Sequence, residues 1–471
     1  MSMFTLREAA AVIPGATVAG NDSVSFDRVS TDSRTCGPGD LFVALKGDRF
    51  DAHDFLADVA ARNVSAVLAA RLPENFDTPA LRVTGDTRVA LGALANGWRK
   101  RFSMPVVAVT GSNGKTTVKE MISSIFAAAV GESARLATAG NFNNDVGLPL
   151  TLFRLNDTHK LAVVELGMNH PGETSLLGKI SEPSAAVVNN AQREHQEFMA
   201  TVEAVALEHA SVIHALKPEG VAVFPANDAY AGIWRVAATG NRILDFALNT
   251  AERTTEAAVQ GSLDGNQLSI DTPEGHVDVT LQVLGAHNAH NALAATAAAL
   301  AAGVSLDAIK RGLEAFGAVK GRLQVKRAVL GAMAGATVID DTYNANPDSM
   351  IAAIDVLAAS PSPRVLVMGD MGEVGDNGPE FHREVGAYAK AQGIDSLYAL
   401  GDASRDACAA YGSDAHHCDD VTALVAQLQQ AGYGAAATYL VKGSRFMKME
   451  RVVDAVTSPQ PAAPGTAPGA H

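Results

Sequence analysis

The residues best equipped for chemistry are Thr110-Gly111-Ser112-Asn113-Gly114-Lys115-Thr116-Thr117. Two glycines in so short a stretch let the backbone curl until successive N–H groups point inward. A curl of this kind at the start of a helix attracts anions, because the first amides are unpaired and the helix dipole is positive there. Lys115 would carry a point charge to the terminal phosphates of a nucleoside triphosphate, and the Thr116 hydroxyl would ligate Mg²⁺. The longer phosphate-loop pattern needs glycine at position 109. Val109 stands there, so this is the shorter form TGxxGKTT. An ordinary glycine turn is the competing reading. The flanking VVAV and VKEMISSIFAAA, read as a strand and a helix, weigh against it. The loop by itself specifies ATP or GTP and no particular reaction.

Glu165 ends the apolar run LAVVEL. Ligands of open α/β sheets sit beyond the carboxyl ends of the strands, so Glu165 is placed to hold a cation bridging nucleotide phosphates. His195, in NNAQREHQEF, follows the run AAVVNN and reads as a second metal ligand or as its outer-shell partner. Ordinary solvated side chains are the alternative for both. His416-His417-Cys418 resembles a metal cluster, but adjacent side chains rarely converge on one ion, and a surface loop is the expectation.

Positioning these groups requires strands that alternate with helices. PVVAV (105–109), LAVVEL (161–166), AAVVNN (185–190) and GVAVFP (220–225) are buried-strand candidates with helical stretches between them. They predict a mainly parallel, doubly wound α/β sheet. A polar stretch around 250–284 reads as a small strand-rich insertion. ATVIDD (336–341), RVLVMGD (364–370), SLYALG (396–401) and TYLVKG (438–443) predict a second α/β sheet. LFVAL (41–45) and SAVLAA (65–70) predict short strands before Met104-Pro105, a plausible boundary because the residue before proline leaves helix. The expected divisions are 1–103, 104–320 and 321–457. A tail at 458–471, rich in proline, alanine and glycine, is expected to be disordered.

Composition narrows the partners. A net charge of −14 over 471 residues disfavours nucleic acid and anionic lipid. The N-terminus reads as a short amphipathic helix without a signal-peptide core, and no run is long enough to insert in a membrane. Three cysteines without CxxC spacing fit a reducing, cytoplasmic setting.

Further motifs occur in a recognisable order: TDSR (31–34), GDLFVALKGDRFDAHDF (39–55), VTGSNGKTTVKEM (109–121), TAGNFNNDVGLPL (138–150), VVELGMNHPGE (163–173), GAHNAHNALAA (285–295), GRLQ (321–324), DDTYNANPDSM (340–350), VMGDMGEVG (367–375) and LVKGSRFMKMERV (440–452). In these the chain resembles the ATP-dependent Mur ligases. The resemblance implies three domains: one binding a UDP-muramoyl peptide, a central P-loop ATPase with a parallel sheet, and a Rossmann-like C-terminal domain. It implies ATP and Mg²⁺ as cofactors, and catalytic roles for Lys115, Glu165, His195 and Arg322. Gly111, Ser112, Asn113, Gly114, Thr116, Thr117, Asn288, Asn291, Asp341, Tyr343 and Asn346 would contact ATP, with Asn344 beside them. Ser33, Arg34, Lys46, Asn141, Asn143, Asn144, Lys442, Ser444 and Arg445 would contact the other substrates. Metal ligands would be Thr116, Glu165 and His195.

DDTYNANP and LVKGSR…ME point, by resemblance, to the member that ligates D-alanyl-D-alanine to UDP-N-acetylmuramoyl-tripeptide through an acyl phosphate. A monomer is expected. The alternatives are a sister ligase adding one amino acid, a P-loop nucleotide hydrolase, and an inactive nucleotide-sugar binder. One departure stands out. Family members often carry a carbamoylated lysine in a stretch like AKxE. Here the stretch is Val205-Ala206-Leu207-Glu208, with Ala206 in the lysine's place and Glu208 retained. Another oxygen ligand or a water is then expected at the second metal.

Overall fold

The computed structural model describes residues 2–458. The tail expected to be disordered lies, beyond Ser458, outside them. The chain builds three main sheets in succession. The first has strands β1 (Thr17–Ala19), β2 (Arg28–Ser30), β3 (Asp40–Val43), β4 (Ala66–Ala69) and β5 (Ala80–Arg82), in the order β1-β5-β4-β3-β2, with only β1 antiparallel. Helix α1 (Thr87–Arg99) leaves this sheet and packs on the next one. Trp98 Nε1 donates to Leu155 O at 3.2 Å and Arg99 Nε to Ser181 O at 3.2 Å. One apolar core therefore runs unbroken from Phe26 and Leu41 to Ala108 and Val164.

The second sheet is wholly parallel. Its strands are β6 (Val106–Thr110), β7 (Arg135–Ala137), β8 (Leu161–Glu165), β9 (Ala185–Val188), β10 (Val221–Val223) and β11 (Arg242–Ile243), in the order β11-β10-β9-β6-β8-β7. Every residue of β6, β8 and β9 is buried. Helices cover both faces, which is why these strands read as unbroken apolar runs. The helices that matter for the site are α2 (Lys115–Val130), α3 (Glu173–Ser181), α4 (Val202–Ala210) and α5 (Ala286–Ala301). The polar stretch folds as a four-stranded sheet of β12 (Phe246–Asn249), β13 (Val259–Asp264), β14 (Gln267–Thr272) and β15 (Gly275–Thr280). The alanines of α5 let it pack closely against α2 and this small sheet.

The third sheet has β16 (Gln324–Arg327), β17 (Thr337–Asp341), β18 (Arg364–Gly369), β19 (Ser396–Leu400), β20 (Ala415–Cys418) and β21 (Thr438–Lys442), in the order β16-β17-β21-β18-β19-β20. Only β16 is antiparallel. Two of its helices, α6 (Pro347–Ala358) and α7 (Gly378–Ala391), reach towards the second sheet. His416 and His417 belong to the edge strand β20, not to a loop. Successive strand residues face opposite ways, so His416 stacks on Tyr398 while His417 Nε2 sits 2.8 Å from Gly401 O. No helix among the described residues is long and apolar enough to cross a membrane.

Candidate functional site

The carboxyl ends of the second and third sheets face one another across a cavity of about 1100 Å³. In the second sheet the chain goes out to both sides of β6, with β9 on one flank and β8 on the other. That is the switch point at which α/β sheets open a crevice. The phosphate loop fills it. Gly114 is the N-cap of α2 at φ +82°, and a Cβ there would lie 2.5 Å from both Asn189 Nδ2 and Asn291 Oδ1. Only glycine fits both the backbone and the space.

Asn190 holds the loop in shape. Its main-chain oxygen takes the Ser112 amide at 3.2 Å and its Oδ1 takes the Asn113 amide at 2.8 Å. The amides from Gly114 onward, with the first turn of α2, are those left for phosphate. Lys115 is folded back onto its own loop. Its Nζ donates to Gly111 O at 2.5 Å, Ser112 O at 3.0 Å and Glu194 Oε2 at 3.2 Å. The ammonium is therefore held against the loop's own carbonyls and the Glu194 carboxylate.

Glu165 ends β8, is 3% exposed, and accepts from Asn143 Nδ2 at 2.8 Å through Oε1. Its Oε2 is buried with no hydrogen-bond partner. The Thr116 hydroxyl accepts from an Arg322 guanidinium N–H at 2.9 Å. An orphaned carboxylate oxygen and a nearby hydroxyl in one cavity suit Mg²⁺, which takes few protein ligands and fills its shell with phosphate oxygens and water. Among the described residues no group of three His, Cys, Asp or Glu side chains is assembled to hold a metal without such help.

The 189–195 loop carries most of what sequence reasoning missed. Glu194 is 5% exposed; its Oε1 lies 2.9 Å from His209 Nε2, and His209 Nδ1 lies 3.0 Å from Thr110 Oγ1. Burial alone would raise the Glu194 pKa, but Lys115 and then His209 and His195 hold it down at about 2. His195 adopts φ +46°, a strained value for a non-glycine residue. Its Nδ1 lies 2.8 Å from Glu373 Oε2, too poorly aligned for a hydrogen bond. Arg193 forks between Asp348 Oδ1 at 2.7 Å on α6 and Glu384 Oε2 at 2.6 Å on α7. Burial opposes its charge, yet the two carboxylates raise its pKa above the ordinary value.

The stretch compared with AKxE lies in α4. Ala206 is buried and its carbonyl accepts from Trp234 Nε1 at 3.0 Å. Both Glu208 oxygens are committed to the start of α3, accepting from the Gly172 amide at 2.9 Å and the Thr174 amide at 2.8 Å. The α4 residue that reaches the phosphate loop is His209.

Other expected residues divide by position. Asn288 and Asn291 line the cavity and join the Asn189 network, through Asn291 Nδ2 to Asn288 Oδ1 at 3.3 Å and Asn189 Nδ2 to Asn291 Oδ1 at 2.9 Å. Asn346 and Asn113 exchange side-chain amide bonds at 3.0 and 3.2 Å across the two sheets. Asp341 accepts from Lys442 Nζ at 2.6 Å, and Arg322 stacks on the Tyr343 ring at 4.2 Å. Asn141, Asn144, Asn344, Thr117 and Arg445 also line the cavity. Ser444 is buried between the 345 and 372 loops, donating to Ala345 O at 2.9 Å. Lys46 lines a second pocket with His53 and with Arg88, which also borders the main cavity. Ser33 and Arg34 lie at the turn after β2, where Arg34 pairs with Asp32 at 2.8 Å. None of these last three joins the main cavity.

Residues 109–299 match the family described as Mur ligase middle domain, and residues 321–445 the one described as Mur ligase, glutamate ligase domain. The UDP-N-acetylmuramoyl-tripeptide–D-alanyl-D-alanine ligase of Escherichia coli (strain K12) is 40% identical over 435 residues, covering 92% of this chain and 94% of that one. The ligase of the same name from Bacillus subtilis (strain 168) is 33% identical, covering 92% and 93%. Among solved structures, MurF from Acinetobacter baumannii superposes with a TM-score of 0.89 at 33% identity over 98% and 99% of the two chains. MurF ligase from Thermotoga maritima, in complex with ADP, gives 0.80 at 26% identity over 91% and 96%. The chain belongs to the Mur ligase family.

Proposed function

We propose that this chain joins D-alanyl-D-alanine to UDP-N-acetylmuramoyl-tripeptide in an ATP-dependent ligation that yields the pentapeptide precursor of peptidoglycan. It is an ATP-using peptide ligase, as its relatives of that name along nearly the whole chain are. The observation that carries the reading is the single cavity in which the phosphate loop and Glu165 face Lys442 and Arg445 of the third sheet. In this reading the divisions are 1–103 for the UDP-muramoyl peptide, 104–320 for ATP and 321–457 for closure over the site. The enzyme acts as a cytoplasmic monomer.

Lys115 leaves the Gly111 and Ser112 carbonyls for the terminal phosphates, where its charge and the α2 amides stabilise the phosphoryl group passing to the tripeptide carboxylate. Magnesium, held by Thr116 and Glu165, would neutralise charge on the phosphate oxygens. The neutral amine of the dipeptide then attacks the acyl carbon, and phosphate departs from the tetrahedral intermediate. Arg322, Asn346 and the Arg193 fork hold the third sheet over the second and keep water from the labile acyl phosphate. Product mass analysis after mixing enzyme, Mg-ATP and tripeptide with D-alanyl-D-alanine or with single amino acids tests this. Ligation of the dipeptide is expected; turnover confined to a single amino acid would transfer the chain to a sister activity.

A further inference from the structure

Glu194 is a buried carboxylate that the ligation as described does not use. Its Oε1 is fixed by His209, and His209 is fixed in turn by Thr110, the last residue of β6. Its Oε2 faces the cavity with Lys115 Nζ at 3.2 Å and His195 Nε2 at 3.8 Å. The lysine is its counter-ion.

That arrangement cannot persist when ATP binds. Lys115 has to give up Gly111 O, Ser112 O and Glu194 together to reach a phosphate. The carbonyls lose a donor, but Glu194 loses a charge, and an ionised carboxylate left unpaired in a buried site is strongly unfavourable. His209 is bound to the other oxygen, Oε1, and leaves Oε2 without a partner. Compensation has to arrive with the nucleotide. A divalent cation does so, since its other ligands can be phosphate oxygens and water. His195 stands ready beside it. Its Nδ1 lies 2.8 Å from Glu373 Oε2 and its Nε2 3.8 Å from Glu194 Oε2, so Nε2 is the nitrogen on the Glu194 side. Glu165, with an unpartnered buried oxygen in the same cavity, shows that cation demand is not confined to Glu194.

We propose that Glu194 Oε2, together with His195, ligates a second divalent cation that replaces the Lys115 ammonium when a triphosphate binds, and that His209 is the positioning residue for that carboxylate. The inference rests on the ATP-ligase reading and answers what serves in place of a modified lysine. Ala206 has no donor, and both Glu208 oxygens are spent on the α3 amides.

The test is Mn²⁺ binding to the full chain, read by electron paramagnetic resonance with a non-hydrolysable ATP analogue. Two Mn²⁺ per wild-type chain are expected with the analogue, the second of them absent without it. Glu194→Gln should still bind the analogue and one Mn²⁺ but weaken the second at least tenfold. His209→Asn should weaken the second Mn²⁺ without changing the first. If Glu194→Gln fails to fold by circular dichroism, Glu194→Asp takes its place and should bind the second ion measurably more weakly than wild type. Two Mn²⁺ of wild-type affinity in Glu194→Gln, or in Glu194→Asp where that replaces it, overturn the proposal, as does a single Mn²⁺ in the wild type. Failure of the wild type to bind the analogue at all would remove the ATP-ligase reading and this proposal with it.

Discussion

At the scale of single residues, the site depends on charges paired within the protein itself. Lys115 is the clearest case, parked on two carbonyls and a carboxylate of its own surroundings. Lys115→Ala should lower kcat by about 10²–10³, the usual effect of removing one donor to developing charge, with the melting curve unchanged. Gly114 makes the opposite kind of demand. Gly114→Ala adds a Cβ within 2.5 Å of two asparagine side chains at a positive φ, and should cost on the order of 1–3 kcal/mol in thermal or denaturant unfolding while abolishing nucleotide binding. The loop glycines and Lys115 were legible in sequence because phosphate binding demands those residue types at that spacing. Glu194 was not. A carboxylate between Arg193 and His195 looks like any polar loop, and only the fold shows that it is buried against the lysine.

At the scale of elements, Glu165 and Lys442 sit at strand ends and Lys115 and Asn346 at helix starts, while Arg193, Glu194 and His195 lie on the loop after β9. Pro347 at the first turn and the reciprocal Asn346–Ser349 capping bonds fix where α6 begins. That places Asn346 against Asn113. Glu208 does the corresponding work for α3 from another helix. Glu208→Ala should destabilise the protein by about 1.5–3 kcal/mol, the range for hydrogen bonds to a charged group, with kcat preserved. A collapse of kcat at unchanged stability would mean that Glu208 acts in the chemistry after all. The central strands were readable because both faces are covered and their residues are almost all apolar. The edge strands β7, β16 and β20 are short and half covered, and β16 and β20 are also largely polar, and such stretches cannot be told from loops by pattern alone.

At the scale of the whole molecule, the second and third sheets are joined across the cavity by Arg193 with Asp348 and Glu384, Arg322 with Thr116, and Asn113 with Asn346. Arg193→Ala removes the strongest of these. The fork is partly solvated, so a loss of about 1–3 kcal/mol is expected, between the exposed and buried limits for ion pairs. Small-angle scattering of the nucleotide-free variant should show a larger radius of gyration, and KM for ATP should rise. An unchanged radius would mean that the fork does not govern closure. Two histidines that line the cavity set an acid limit. Burial lowers the pKa values of His287 and His290, so below about pH 6.5, the ordinary histidine value, the unfolded chain binds more protons than the folded one. Stability therefore falls as pH drops through that value, and chemical unfolding between pH 7.5 and pH 5.5 (roughly one unit either side) should show it lost in the wild type and partly retained when both are replaced by glutamine.

The second and third sheets were legible from alternating strand and helix signals, and the first only as the two short strands β3 and β4. The continuity of the first core with the second was not, because Trp98 and Arg99 of α1 carry no mark of the neighbour they pack on. The account as a whole rests on a phosphoryl group passing from ATP to the acid that is then joined to an amine. The most direct measurement uses tripeptide labelled with oxygen-18 in its terminal carboxylate, supplied with Mg-ATP and D-alanyl-D-alanine, and follows the label by mass analysis of the released phosphate and of the ligated peptide. One labelled oxygen transferred to each phosphate, with one pentapeptide formed per phosphate, is the predicted result. Pentapeptide formed with unlabelled phosphate, or phosphate released without any ligated product, would contradict it.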